Sequence, residues 1–142
     1  MRSKDSLGHA VEEKASSYHL VTEERRGYLH ARVSGPRTAE NAQRFLKEAY
    51  EECVRKGHAA LLLEMGLTRP PLDMASIFRV IASRAPDGAT LKRIAYIEPS
   101  PTDIPSALFA ETVANNRGVN VRLFKDYAAA DRWLTSEGRK KA

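Results

Sequence analysis

Six polar residues stand in two short stretches where a chemical site could form. Thr68, Arg69, Asp73 and Ser76 lie in "GLTRPPLDMAS", and Ser100 and Thr102 lie in "EPSPTD". Each stretch follows an apolar run of strand length and precedes a helical pattern. In open α/β sheets, ligands settle in the crevice outside the carboxyl ends of the strands. There the next helix offers free N–H groups and the positive end of its dipole. Hydroxyls, a guanidinium and helix N-termini suit a small ligand, an anion in particular. A plainer account competes: Asp73 and Asp103 satisfy the helix N–H groups as N-caps, while Pro70 and Pro71 stiffen an ordinary loop. "EMGLTRPP" is neither a P-loop nor a G-x-G-x-x-G turn.

Other residue types offer less. Glu64 and Glu98 are placed near the ends of two strands that could be neighbours. Paired carboxylates divide acid and base roles when their surroundings separate their pKa values, and together with Asp73 these two carry the enzymatic alternative. No nucleophile or metal ligand accompanies them, so both are also read as charges at the wet rim of a sheet. The histidines, His9, His19, His30 and His58, show no i, i+4 pair, and Cys53 is the sole cysteine; neither a zinc site nor an internal disulfide is expected. Cys53 falls on an apolar helical stripe and is read as a structural thiol. Asn115, Asn116, Arg117 and Asn120 surround Gly118 and read as a helix end and turn, with Arg117 as an alternative contact for a partner or an anion. No cofactor is expected.

The elements that must position these residues follow from periodicity. "YHLVTEE" and "GYLHARVS" are β-type runs separated by "ERRG", a hairpin with Gly27 near its turn. In the second run Leu29, Ala31 and Val33 alternate with Tyr28, His30 and Arg32, and the latter set is expected on the wetter face. Thr38 caps a helix over 39–56 whose stripe is Ala42, Phe45, Leu46, Ala49 and Cys53, and Gly57 stops it. "AALLLEM" is a continuous apolar run, as expected of a strand covered on both faces. Asp73 opens a second helix with Met74, Ile77, Phe78 and Ile81 on one face, ended by "APDGAT". "LKRIAYIEP" is a strand. Asp103 caps a third helix with Pro105 in its first turn and Ile104, Ala107, Leu108, Val113 and Ala114 on its inner side. "VNVRLF" is the last strand, and Asp126 caps a last helix that buries part of Tyr127, Ala130, Trp133 and Leu134. The order β-β-α-β-α-β-α-β-α predicts an α/β fold with a mixed, mostly parallel sheet and right-handed β-α connections.

At 142 residues the length prior is one domain. Residues 1–17 read as a flexible arm, 18–136 as the α/β domain and 137–142 as a basic tail. The net charge is +5 but it is dispersed, which argues against a nucleic-acid surface. No run of about 18 apolar residues exists, so no membrane span is expected. The N-terminus lacks the apolar segment of a secretory signal, and a cytoplasmic location is expected.

The element order, with "RIAYIEPSP", "ETVANNRGVNVRLF" and the closing "AAADRWL", resembles the STAS fold of sulfate-transporter C-terminal domains and bacterial anti-anti-sigma factors. The resemblance spans about residues 18–135 and is nearest to the stand-alone STAS/SEC14-like bacterial group, whose role is largely undefined. It implies a STAS-like binding or regulatory module. In anti-anti-sigma factors an Asp at the start of the helix after the third strand is followed by a phosphorylatable Ser. Here Asp73 is followed by Met74, which has no hydroxyl, and Ser76 could substitute only if the helix began later. The expected function is therefore non-enzymatic binding of a protein partner or of a small anionic or apolar ligand at the loops after the third and fourth strands. A homodimer is expected on base rates.

Overall fold

The computed structural model describes residues 17–68 and 70–136. The arm expected over 1–17, apart from Ser17, and the tail over 137–142 lie outside the described residues, as does Arg69. The elements are β1 (His19–Arg25), β2 (Tyr28–Gly35), α1 (Ala39–Arg55), β3 (Ala60–Leu67), α2 (Met74–Gly88), β4 (Arg93–Ile97), α3 (Ile104–Asn116), β5 (Val121–Phe124) and α4 (Tyr127–Thr135). A short 3-10 turn, Pro101–Asp103, precedes α3.

The five strands form one sheet in the order β1-β2-β3-β4-β5. The hairpin pair β1–β2 is antiparallel, with Arg25 opposite Tyr28 and Gly27 in the turn at positive φ. The other three pairings are parallel. The apolar run of β3 is thus at the centre. Leu61 stands between Leu29 of β2 and Ile94 of β4. Both faces of β3 are covered: Leu61, Leu63 and Met65 face one layer of the core, Ala60 and Leu62 the other. That explains why its sequence does not alternate.

A sequential strand order joined by crossovers of one hand leaves all connecting helices on one face. Accordingly α1, α2 and α3 pack with Leu29, Ala31, Val33, Leu61, Leu63, Met65, Ile94 and Val121 in the larger core. The terminal α4 crosses to the opposite face, where Ala130 and Leu134 meet Tyr28, Leu62, Ala95 and Ile97. Polar contacts hold it there. The Tyr28 hydroxyl donates to Asp131 at 2.6 Å and lies 2.7 Å from the Tyr127 hydroxyl, and the Arg93 guanidinium donates to the Trp133 carbonyl and the Ser136 hydroxyl.

Local signals explain most helix boundaries. Thr38, Asp73 and Asp126 each accept the backbone N–H three residues on, at 3.0, 2.7 and 2.8 Å, as N-caps do. Helix α1 ends at Arg55, and Gly57 takes positive φ just beyond it.

Several expectations need correction. Helix α2 runs through "APDG" to Gly88, with Pro86 inside its last turn. There the proline forfeits one hydrogen bond at the end of the helix. Its buried stripe is Ile77, Val80 and Ala85, while Met74 (64 % exposed) and Phe78 point outward, Phe78 lying under the Arg117 guanidinium. In α3, Leu108 is exposed and the buried residues are Ala107, Val113 and Ala114. Both helices are apolar on more than one side, so composition alone does not choose the inward face. The β2 face carrying Tyr28 and His30 is dry, because α4 covers it; only Arg32 and Ser34 on that face are wet.

Gly35 ends β2 at φ +122, and a Cβ there would lie 2.9 Å from the Tyr18 Cα. Gly57 also has positive φ, but a Cβ there would meet nothing within 4 Å. Gly35→Ala should therefore cost more than about 1 kcal/mol beyond Gly57→Ala, since it adds a backbone clash to the shared φ strain. Urea unfolding of both variants checks this; equal midpoints would contradict it.

Candidate functional site: an apolar cavity with a charged end

Between the sheet and its three covering helices lies a cavity of ≈ 110 Å³. A single water needs only about 10–15 Å³ on a comparable measure, so the space suits a small organic molecule. Leu63 and Met65 of β3, Tyr96 of β4 and Val121 of β5 form its floor. Phe45 and Leu46 of α1 and Ile77, Val80 and Ile81 of α2 form walls, and α3 contributes Ala107, Ala110 and Ala114. The space has a sequence origin. Alanines at this spacing share one helix face and leave unfilled the volume that Leu or Ile would occupy. Along β3 the lining runs from Leu63 to Leu67, four residue steps or about 13 Å at strand rise.

Its polar end lies at the carboxyl ends of β2, β3 and β4. Arg37, just past β2, donates through Nη2 to Glu98 Oε1 at 3.5 Å and to Asp103 Oδ2 at 3.4 Å. It also donates through Nε to the Thr68 carbonyl at 3.1 Å and through Nη2 to the Leu67 carbonyl at 3.5 Å. Glu98 is 4 % exposed and Asp103 2 %. Two buried carboxylates thus share one guanidinium, at distances long for charge-assisted bonds. Desolvation pushes the Glu98 carboxyl above its ordinary pKa, and the Asp103 charge adds to this; the Arg37 charge and the Ser100 N–H, which donates to Oε2 at 3.3 Å, work against it. Burial likewise raises the Tyr96 phenol, with the Glu98 charge in the same sense. At the other end Arg84 lines the cavity and donates to Asp87 at 3.1 Å. Glu111, also in the lining, accepts the Leu123 N–H at 2.8 Å.

Of the six residues singled out by sequence, Arg69 lies outside the described residues, and none of the other five lines the cavity. Thr68 is exposed and contributes its carbonyl to Arg37. Ser100 contributes its N–H to Glu98, and its hydroxyl lies 3.1 Å from that of Thr102. Asp73 is an exposed N-cap bonded to the Ser76 N–H, and the Ser76 hydroxyl accepts from Arg79. That N–H bond holds the Asp73 carboxyl below its ordinary pKa. Asp103 departs from its expected role: α3 has no side-chain cap bond, because the carboxylate turns inward to Arg37. Arg37 itself was not anticipated. The available signal was the need for a cation beside the acid of "YIEP" once that acid is buried.

Glu64 and Glu98 are not a pair. Glu64 stands opposite Ile97 in register and bonds His30 Nε2 at 2.8 Å on the α4 face, while Glu98 faces the cavity. His30 is 4 % exposed, stacks on Tyr127 and has the Arg25 guanidinium 3.5 Å from Nδ1. Cys53 is buried, with its thiol near the carbonyls of His58 and Ala60; burial pushes it up to about 12, as for an inert thiol. Asn115 and Asn120 bond backbone carbonyls around the turn at Gly118. Among the described residues no group of three or more His, Cys, Asp or Glu could hold a metal ion, and no helix is long and apolar enough to cross a membrane.

No family model and no curated protein matches this chain. Among solved structures, the NMR structure of the protein TM1081 is similar at a TM-score of 0.48 and 14 % identity, covering 80 % of this chain and 86 % of that one.

Removing the shared cation should be costly. Arg37→Ala leaves two buried carboxylates without a counter-charge and should lose about 3–5 kcal/mol, read by chemical unfolding at neutral pH; an unchanged midpoint would show that the cluster is solvated. Glu98 adds a pH test. Its raised pKa means that folding favours the protonated form, so its contribution is fully present below the ordinary carboxylate pKa. That contribution is lost as pH rises through the folded value. Glu98→Gln removes this dependence, so the variant's stability relative to the parent should increase from acid to neutral pH. A constant difference would contradict the shift.

Proposed function

We propose that the protein is a non-enzymatic binding module that holds a small, elongated, mainly apolar molecule between its sheet and helices α1 to α3. The observation that carries this reading is the cavity itself: a mainly apolar space lined along β3 from Leu63 to Leu67, with a buried ionic cluster at one end. Small-molecule sites commonly combine an apolar lining with a few polar groups that fix orientation. The hairpin followed by consecutive parallel strands, with three helices on one face, supports the STAS-like reading. Within that reading Met74 occupies the phospho-acceptor position, exposed and without a hydroxyl, so ligand occupancy is the more natural signal than phosphorylation. The loops after β3 and β4, with Thr68, Asp73, Ser76, Ser100 and Thr102, form the rim through which occupancy would be reported to a protein partner.

A second reading has one observation in its favour. Glu98 lines the cavity with a raised pKa, as a general acid would. Its oxygens are already engaged by Arg37 and the Ser100 N–H.

Binding is tested by following the methyl NMR signals of Leu63 and Met65 during titration with octan-1-ol. The parent should show saturable shifts confined to cavity methyls. Ala110→Phe, which fills the cavity from the half-buried side of α3, should abolish them while the protein stays folded. Identical shifts in the filled variant would place the alcohol elsewhere and remove this function.

A further inference from the structure

The polar end of the cavity has an acceptor that lacks a donor. Arg37 Nε and Nη2 donate to the carbonyls of Thr68 and Leu67 and to one oxygen of each carboxylate. Glu98 Oε2 has the Ser100 N–H. Asp103 Oδ1 is buried and has no hydrogen-bond partner among the described residues, although Asp103 lines the cavity. Its side chain is only 1 % exposed, and it does not cap α3. A buried carboxylate oxygen without a donor is costly, and the natural complement is a ligand group that donates.

An incoming carboxylate would meet the reverse situation. It brings a third negative charge to a pair of acids sharing one cation, and it offers no proton to Asp103. A head group that carries O–H or N–H supplies the missing donor, and a cationic one also offsets the excess charge.

We propose that the occupant is an amphiphile with an unbranched apolar tail and a hydrogen-bond-donating head, a hydroxyl or a primary ammonium, received by Asp103 Oδ1. This rests on the cavity being the binding site. It excludes fatty acids bound head-first at this end. The opposite end contains the alternative, since Arg84 Nε is buried with no hydrogen-bond partner among the described residues and would receive a carboxylate in the reversed sense.

The test is calorimetric titration of the full chain at about pH 7, where the amine is cationic and the acid anionic, with octan-1-ol, octylamine and octanoate. The alcohol and the amine should bind at least about tenfold more tightly than the acid, the scale of one hydrogen bond to a charged group. In Asp103→Ala, checked for folding by urea, the three should converge to within about threefold while the tail still binds. In Asp103→Asn the amine should lose more than the alcohol. Octanoate binding as tightly as octanol in the parent overturns the donor-head assignment and leaves the cavity reading standing, as does a preference unchanged in Asp103→Ala. Failure of all three ligands to bind the parent removes the cavity reading itself. Should Asp103→Ala not fold, the parent series and Asp103→Asn still decide.

Discussion

One guanidinium joins the ends of three parallel strands. Arg37 leaves β2, reaches the carbonyls that close β3 and neutralises the acid that closes β4 together with the one that opens α3. Without it, two carboxylates would be stranded in a site of low dielectric, at a cost that a domain of this size does not readily absorb. Its contacts are long, and it is spread over four acceptors. The cluster is thus held in place without being saturated, which leaves it able to engage a further polar group.

The apolar part of the cavity follows from what α3 lacks. Interiors normally pack to crystal-like density, and an empty apolar space costs contacts on every side. Here Ala107, Ala110 and Ala114 face the larger residues of β3 and α2. Close-packed regions elsewhere in the same protein show what full packing requires: Leu29, Leu61, Leu62 and Ile94 are wholly or almost wholly buried at the sheet centre. A local deficit of volume next to an ionic cluster is a different arrangement, and a ligand that fills it would regain dispersion contacts and satisfy Asp103 at once. On the α4 face the polar groups, Tyr28, His30, Glu64, Tyr127 and Asp131, are engaged with one another.

The sequence made the framework legible because its signals are local. Period-two runs, a continuous apolar strand, and caps at Thr38, Asp73 and Asp126 each depend on residues a few positions apart. The site was much less legible because its decisive contacts are distant. Arg37 is 61 residues from Glu98 and 66 from Asp103, and no spacing rule reaches that far. Asp103 was misread for a physical reason: an Asp before a helix with proline in its first turn has the pattern of an N-cap, yet a buried guanidinium competes for the same oxygens. Glu98 was named as half of a carboxylate pair with Glu64 or as a charge at the wet rim; its burial beside Arg37 was not foreseen, because it depends on α3 folding over β4. The loops at the carboxyl ends of the strands were recognisable; the cavity beneath them was not, since unfilled volume has no residue to announce it.

The measurement that bears most directly on this account is a crystal structure of the protein with octan-1-ol. The account predicts an alkyl chain lying along Leu63 and Met65 beneath Ala110, with its oxygen within hydrogen-bond distance of Asp103 Oδ1. A space closed by the side chains of α2 and α3, or an alcohol found only at the exposed loops around Thr68 and Ser100, would contradict it.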